Sequence, residues 1–412
     1  MLRRPAFLFV ALVALTSAAI AQTTYSPEAL GARIDEVFAA SAFDNARWGA
    51  HVIDAETGEV IYARDSNGLY IPASNMKLVT TAAALDELGP DYRFRTRLYL
   101  DGVVRGGVLQ GALVVRGSGD PRFGGRHSGG DLGRAFRAWA DSLKRVGVRT
   151  IDGPVLLADD AIQDPDTYFI RTMKGAMRQE GITFASGEVR VYSETPHPDY
   201  RQMRRVATHA SPRLANFVDI TNTDSNNLYA ERILRTLAVE MFPGDGPVHP
   251  ILRARAADGV LARAGIDPQS FVVADGSGLS RDNRLTPIGT VALLQWMWDH
   301  PHPATRQAFY ESLPLGGYTG TLARRYARGD ARGNVRAKTG YVRRVRTLSG
   351  FVTTATGRSV VFSLMCNGYT VRTSRVNRAQ DEVVELLADY AGRPVLPTLT
   401  RTSLGMAVPG GN

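Results

Sequence analysis

The chain has 412 residues, of which 44% are hydrophobic and 22% charged, with a formal net charge of +9. This is an ordinary composition for a soluble globular protein, with room for a large domain and a smaller one. Its single cysteine, Cys366, excludes an internal disulfide. The positive charge, in a chain expected to be exported, favours anionic envelope polymers and carboxylate-bearing peptides over nucleic acid as partners.

The N-terminus is typical of a secretory signal peptide. Arg3 and Arg4 form a positive region, residues 6–14 an apolar one, and residues 19–21 a small-x-small cleavage pattern. The sequence therefore predicts a signal peptide over residues 1–21 and an exported, periplasmic or extracytoplasmic protein. An N-terminal membrane anchor is the alternative, which the short apolar run disfavours, and no later stretch is apolar for long enough to span a membrane.

The first half of the chain is predicted to alternate strands and helices. Period-two alternation predicts a β-hairpin over residues 48–64, and an apolar face at helical spacing predicts a helix over residues 72–88. A block with a sheet-plus-helix character of its own follows, predicted as strands over residues 95–100, 108–115 and 154–158 and a helix over 132–146.

The second half is predicted to contain helices and then three strands near the end. The predicted helices cover residues 168–180, 228–239, 252–264, 286–298 and 379–390, and the predicted strands 335–339, 348–354 and 360–366. Strands at both ends with helices between them indicate an α/β (α+β) fold, an antiparallel sheet covered by helices, whose first and last strands are neighbours.

The helix at residue 72 begins with a motif that suits nucleophilic catalysis. Ser74 and Lys77 are three residues apart, so on a helix the amine lies beside the hydroxyl. A desolvated lysine can lose its proton and act as the base that a serine nucleophile needs. The alternative is a serine that only caps the helix, and taken alone this motif is weak.

Two further motifs carry polar groups suited to the same chemistry. In the first, Ser225 could relay a proton to a leaving group and the Asn227 amide could hold a substrate carbonyl. In the second, Lys338 and Thr339 could bind a carboxylate, and Gly340 could let a ligand approach the strand. Each motif has an ordinary structural alternative: the first could be a capped helix start, and the second an exposed strand end.

The three motifs together are far more specific than each alone. Ser-x-x-Lys, Ser-Asp-Asn and Lys-Thr-Gly, in this order, are the signature of penicillin-binding proteins and class A β-lactamases. Here Asn226 stands in place of the aspartate of the second motif. The backbone N–H groups of Ser74 and Tyr341 are the predicted oxyanion hole.

The chain resembles the D-alanyl-D-alanine carboxypeptidase/endopeptidase family, the low-molecular-mass class C penicillin-binding proteins. The segments that carry the resemblance are residues 72–77, 116–121, 224–227, 275–280, 320–322 and 335–340. The resemblance implies a transpeptidase, β-lactamase-like fold and a hydrolase acting on peptidoglycan peptides through a Ser74 acyl-enzyme, inhibited by β-lactams. It implies neither a metal nor an organic cofactor.

The resemblance also implies domains inserted between the first two motifs. Because the insertion is shorter than is usual in the family, we expect one small α/β subdomain over residues 97–163. The catalytic domain would then comprise residues 22–96 and 164–395, followed by a flexible tail over 396–412.

The segment after Gly340 departs from the family pattern, because Tyr341 stands where a threonine is usual. One hypothesis is that Arg343 or Arg344 replaces the lost hydroxyl by binding the substrate carboxylate. The alternative, which we favour, is a solvated basic loop.

Two other functions remain open: a β-lactamase or esterase on the same scaffold, and a non-catalytic wall-binding homologue. The choice between carboxypeptidase and endopeptidase also stays open, since both activities would use the same residues.

Overall fold

The computed structural model of the chain describes residues 27–124, 132–157, 168–191, 199–242 and 250–390. The predicted signal peptide (1–21) and the predicted flexible tail (396–412) lie outside the described residues. Within the described ranges, no helix combines the length and the apolar character that crossing a membrane requires.

The elements alternate between two sheets and the helices that cover them. The strands are β1 (Arg47–Asp54), β2 (Val60–Arg64), β3 (Arg95–Arg105), β4 (Val108–Arg116), β5 (Thr150–Ile151), β6 (Val155–Leu157), β7 (Thr183–Phe184), β8 (Val189–Val191), β9 (Arg204–Ala210), β10 (Phe271–Val272), β11 (Arg284–Leu285), β12 (Arg336–Val342), β13 (Val345–Thr353) and β14 (Ser359–Asn367). The helices are α1 (Pro27–Phe38), α2 (Met76–Leu88), α3 (Leu132–Arg145), α4 (Tyr168–Gln179), α5 (Leu214–Thr223), α6 (Asn227–Met241), α7 (Pro250–Arg255), α8 (Asp258–Arg263), α9 (Pro287–Trp298), α10 (Pro303–Glu311) and α11 (Thr373–Ala388).

The main sheet joins the two ends of the chain. Its strand order is β12-β13-β14-β1-β2, all antiparallel, and Trp48 of the first strand lies opposite Cys366 of the last. Alternate residues of β14 point to opposite cores: Phe362 packs towards α1 and α11, whereas Val361 packs towards α2 and α9. The prediction of an antiparallel sheet covered by helices, with its first and last strands adjacent, is confirmed.

A second sheet forms the inserted subdomain. Its path is β7-β5-β4-β3-β9, and β6 pairs with both β4 and β8. Strands β3, β4 and β9 are antiparallel, and the pairings of β4 with β5 and β6 are parallel. Helices α3 and α4 cover one face and share its apolar cluster, with Phe136, Trp139, Phe169 and Met173 fully buried.

The predicted C-terminal boundary of the insert, residue 163, is wrong. Helix α4, which we expected in the catalytic domain, packs on α3, and β9 hydrogen-bonds to β3, so the second sheet ends only at Ala210. Strand β9 could not be predicted from the sequence, because it is largely exposed and begins with Arg204 and Arg205. It therefore lacks the apolar alternation of a half-buried strand.

Two helix predictions also need correction. The helix expected over residues 252–264 is two short helices, α7 and α8, separated at the buried pair Ala256 and Ala257. The closing helix begins at Thr373 rather than at residue 379. Alanine-rich and charged segments give a clear helical signal but mark the ends of a helix poorly.

A close contact joins the insert to the catalytic domain. Gly119 has a φ of +84°, and a Cβ there would lie 2.2 Å from Oγ1 of Thr236 on α6. The same hydroxyl donates a 3.1 Å hydrogen bond to the carbonyl of Ser118. Glycine at position 119 thus allows the insert to sit directly on the helix that carries Asn227 at its first turn.

We expect Gly119→Ala to lower the free energy of unfolding by about 2–4 kcal/mol, from positive-φ strain and from the clash with Thr236. Gly147→Ala is the matched control, because Gly147 has a φ of +85° but open space where its Cβ would stand. Its expected loss is about 1 kcal/mol. Urea unfolding measures both, and equal losses would show that the contact is unimportant.

Candidate active site

Ser74 lies in a strained turn at the start of α2. The helix was predicted to begin at residue 72, but residues Ala73–Asn75 form a 3₁₀ turn and α2 begins only at Met76. Ala73 has a φ of +47°, in the left-handed region that costs an alanine about 1 kcal/mol or more. A strained conformation beside a half-buried serine is typical of functional sites.

Side chains of the main sheet hold this turn in place. Thr347 of β13 donates a hydrogen bond of 2.8 Å from its hydroxyl to the carbonyl of Pro72. The Asn75 amide donates to the Ser349 hydroxyl at 2.6 Å, which donates in turn to Ser363 at 2.9 Å. The buried polar side chains of β13 and β14 therefore position the turn that carries the serine.

Lys77 is the centre of the site. Its amine is fully buried and lies 3.0 Å from the Ser74 hydroxyl oxygen. It also donates hydrogen bonds of 2.7 Å to Oδ1 of Asn227 and 2.5 Å to the carbonyl of Ser277. Three acceptors from three separate segments thus surround one amine, in reach of the hydroxyl that it would deprotonate.

The surroundings of Lys77 prepare it to lose a proton. Burial lowers its pKa to about 8, and the carboxylates of Asp275 and Glu231 oppose part of that shift. The chain has only four lysines, and two of them, Lys77 and Lys338, are in the predicted motifs. An arginine could supply charge at either position but could not become neutral.

The second motif places Asn227 in hydrogen-bonding contact with Lys77. Among the described residues, no hydrogen bond joins Ser225 to Lys77. Ser225 is half-buried with a φ of +58°, just before α6 begins. Asn226, which replaces the aspartate of the motif, is the N-cap, because its side chain accepts a 3.1 Å hydrogen bond from the backbone N–H of Tyr229. The substitution thus retains a good helix cap.

The third motif lies on β12, at the edge of the main sheet. Lys338 is fully buried and donates to the carbonyl of Thr339 at 3.2 Å. Burial, with the nearby charge of Lys77, lowers the pKa of Lys338 well below its usual value. The Thr339 hydroxyl donates to the Thr321 hydroxyl at 2.8 Å, so the segment around residue 320 contributes to this edge.

Gly340 brings the strand against the serine turn. A Cβ at this position would lie 2.7 Å from the carbonyl oxygen of Pro72 and 3.1 Å from the backbone nitrogen of Ser74. The absence of a side chain therefore lets β12 approach the Ser74 backbone closely, in addition to the predicted approach of a ligand.

The tyrosine and arginines that follow lie on the exposed end of the β12–β13 hairpin. Tyr341 is 54% exposed, and the Arg346 guanidinium lies 5.8 Å from its ring centre. Arg343 and Arg344 are exposed at the turn just beyond Val342, where β12 ends about 14 Å along the strand from Lys338 at 3.4 Å per residue. This position favours a solvated basic turn over the hypothesis that either arginine replaces the lost hydroxyl.

Several residues of the site had no role assigned from the sequence. Ser277 supplies a carbonyl to Lys77, Asp275 and Glu231 supply charge, and Ser349 anchors the turn. The run at residues 275–280 carries part of the family resemblance, but its contact with Lys77 joins residues 200 positions apart in the chain. Sequence spacing cannot show such contacts.

The fold is that of penicillin-binding and β-lactamase-like proteins. The crystal structure of penicillin binding protein 4 from Haemophilus influenzae superposes with a TM-score of 0.73 at 20% identity, over 87% of this chain and 99% of that one. A predatory peptidoglycan endopeptidase from Bdellovibrio bacteriovorus gives 0.55 at 15% identity, over 83% and 92%.

The sequence comparisons define the family. The model of the D-Ala-D-Ala carboxypeptidase 3 (S13) family matches residues 30–162 and 157–390, so the chain belongs to this family. The D-alanyl-D-alanine carboxypeptidase of an Actinomadura species is 28% identical over 87% of this chain and 84% of its own length. Carboxypeptidase DacB of Mycolicibacterium smegmatis is 30% identical over 78% and 77%. The predicted family is confirmed, and the protein is a D-Ala-D-Ala carboxypeptidase of the penicillin-binding family.

The pKa of Lys77 predicts the pH dependence of the enzyme. Because only the neutral amine can accept a proton, kcat/KM for a peptide ending in D-Ala-D-Ala should fall about tenfold per pH unit below the Lys77 pKa of about 8. Lys77→Arg, which stays charged, should lose at least about 10³-fold at every pH. D-Alanine release measures both, and a flat profile between pH 6 and 9 would contradict the assignment.

Proposed function

We propose that the protein is an exported serine peptidase of the cell wall, which cleaves the peptide bond after D-alanine in peptidoglycan stem peptides through an acyl-enzyme on Ser74. The observation that carries this proposal is the buried Lys77 amine, 3.0 Å from the Ser74 hydroxyl oxygen, with a pKa lowered to about 8. The proposed location rests on the signal-peptide pattern of residues 1–21 and on the substrate.

In the proposed acylation, neutral Lys77 takes the proton of the Ser74 hydroxyl as its oxygen attacks the carbonyl carbon of the penultimate D-alanine. The backbone N–H groups of Ser74 and Tyr341 stabilise the resulting oxyanion. When the intermediate collapses, the C–N bond breaks, and the departing amine receives the proton from Lys77 by way of Ser225. The net result is the transfer of one proton from Ser74 to the leaving amine and the formation of an ester on Ser74.

Deacylation reverses these roles. Lys77, neutral again, accepts a proton from water, directly or through Ser225, and the hydroxide equivalent attacks the ester carbonyl. The ester C–O bond breaks and the proton returns to Ser74. No cofactor takes part in this scheme.

Three groups are proposed to hold the substrate. Asn227 presents its amide beside Lys77, with the carbonyl oxygen on the lysine and the NH₂ group available for a substrate carbonyl. Lys338 and Thr339 would bind the terminal carboxylate. The arriving anion would favour the charged form of buried Lys338 and so oppose the effect of burial on its pKa.

Penicillin binding is proposed from the same geometry, because a β-lactam presents a carbonyl and a carboxylate in a comparable arrangement. The H. influenzae structure is also known with a β-lactam, and a B. bacteriovorus endopeptidase is known acylated by penicillin G. The second of these proteins also supports an endopeptidase activity here, which would use the same residues as the carboxypeptidase.

The alternatives differ from this proposal in specific ways. A class A β-lactamase would have aspartate at position 226 and a dedicated deacylating glutamate, whereas Asn226 caps α6. A non-catalytic wall-binding homologue would have no reason to keep Ser74, Lys77 and Lys338 together.

Intact mass spectrometry after incubation with penicillin tests the proposal. We expect the mature protein to gain one drug mass, held for minutes or longer, and Ser74→Ala to gain none. Digestion of purified muropeptides would then separate loss of terminal D-alanine from cleavage of cross-links.

Three outcomes would contradict the proposal. Rapid consumption of the drug without an adduct would indicate a β-lactamase, and an unreactive protein with intact drug would indicate a non-catalytic homologue. Retention of the adduct by Ser74→Ala would place the nucleophile elsewhere.

A further inference from the structure

We propose that Glu231 is a positioning residue of the active site, whose carboxylate fixes the Gly276–Ser277 backbone so that the Ser277 carbonyl binds the Lys77 amine. This inference rests on the proposed function, since it concerns the base that activates Ser74. Glu231 lies on α6, one helical turn after Asn227, so the same helix face supports Lys77 twice.

The carboxylate of Glu231 binds the backbone of the loop. One carboxylate oxygen, Oε1, accepts hydrogen bonds from the N–H groups of Gly276 at 3.1 Å and Ser277 at 2.9 Å. The carbonyl of that same Ser277 accepts the 2.5 Å bond from the Lys77 amine. A single residue therefore connects the carboxylate to the lysine, and Ser277 is itself fully buried.

Two other polar groups brace the same loop. Asp275 accepts hydrogen bonds from the N–H groups of Gly278 and Ser280, both at 2.6 Å, and from the Asn283 amide at 2.8 Å. The side-chain oxygen Oδ1 of Asn283, a fully buried residue, accepts a hydrogen bond from the N–H of Ala274 at 2.7 Å. These bonds shape the loop, whereas Glu231 is the group that ties it to α6.

A third contact ties the loop to the helix that carries Lys77. The Thr80 hydroxyl donates to the carbonyl of Gly276 at 2.8 Å. The N–H group of Gly276 is therefore bound from α6 and its carbonyl from α2. The loop lies between the two helices and cannot shift without breaking buried hydrogen bonds. Breaking them would leave buried groups unsatisfied, at about 1–3 kcal/mol each.

The carboxylate also acts on Lys77 through space. The charged groups that face Lys77 are Asp275 from the loop, Glu231 from α6 and Lys338 from β12. Asp275 and Glu231 raise the pKa of Lys77 against the effect of burial. Removal of the Glu231 charge alone should therefore make the amine easier to deprotonate, while removal of its hydrogen bonds should misplace the Ser277 carbonyl.

Two substitutions separate these effects. Glu231→Gln keeps an oxygen acceptor for both N–H groups and removes the charge, whereas Glu231→Ala removes both. We expect Glu231→Gln to shift the acid limb of Ser74 acylation by a fluorescent penicillin to lower pH by roughly 0.5 unit. We expect Glu231→Ala to acylate about 100-fold more slowly at pH 8, because the lysine loses its fixed geometry.

Amide hydrogen exchange of the 274–283 segment provides a readout that does not depend on activity. Glu231→Ala should exchange at least about tenfold faster in this segment than the parent protein, and Glu231→Gln should stay within about twofold. Glu240→Gln is the matched control. It removes the same charge from the exposed end of α6, about 13 Å along the helix, and should change neither measurement.

The outcomes distinguish the inference from the proposed function. A parent protein that penicillin does not acylate would defeat the proposed function, and hydrogen exchange would still decide whether Glu231 holds the loop. An acylated parent with normal acylation and exchange in Glu231→Ala would overturn the inference. An acid limb of acylation that stays at the same pH in Glu231→Gln would also overturn the inference, because substitution of a purely structural residue would leave that limb unchanged.

Discussion

The structure depends on a buried cation that needs acceptors from all sides. The Lys77 amine has no solvent exposure, and burying an ammonium group without partners would cost several kcal/mol. Its acceptors are the Ser74 hydroxyl at the start of α2, the Asn227 amide at the start of α6, and the Ser277 carbonyl. Satisfying one amine thus requires the starts of two helices and the loop at Ser277 to come together.

The same requirement explains why the site residues are so widely separated in sequence. Strand β12 closes the site from the sheet, and it can do so because Gly340 lacks a side chain where it meets the Ser74 turn. The inserted subdomain contacts α6, the helix that carries Asn227, through Gly119 and Thr236.

Much of the fold and the motif residues could be predicted from the sequence. Alternation identified the strand at residue 48, the order of the elements placed the first strand beside the last, and local spacing placed Lys77 beside Ser74. What could not be predicted depends on long-range contacts: the return strand β9, whose arginines hide its pairing, and the roles of Ser277 and Glu231. The positive φ of Ala73 also has no sequence signal, because tertiary contacts impose it.

Burial is expected to make Lys77 a base near neutral pH, and direct titration of its amine tests this expectation. With only four lysines in the chain, ¹³Cε-lysine labelling gives few signals, and the one absent from Lys77→Arg identifies Lys77. The chemical shift of this carbon should report an amine pKa of about 8. Titration at or above the ordinary lysine value of 10.5 would contradict it, since the amine would then stay charged when it must accept a proton.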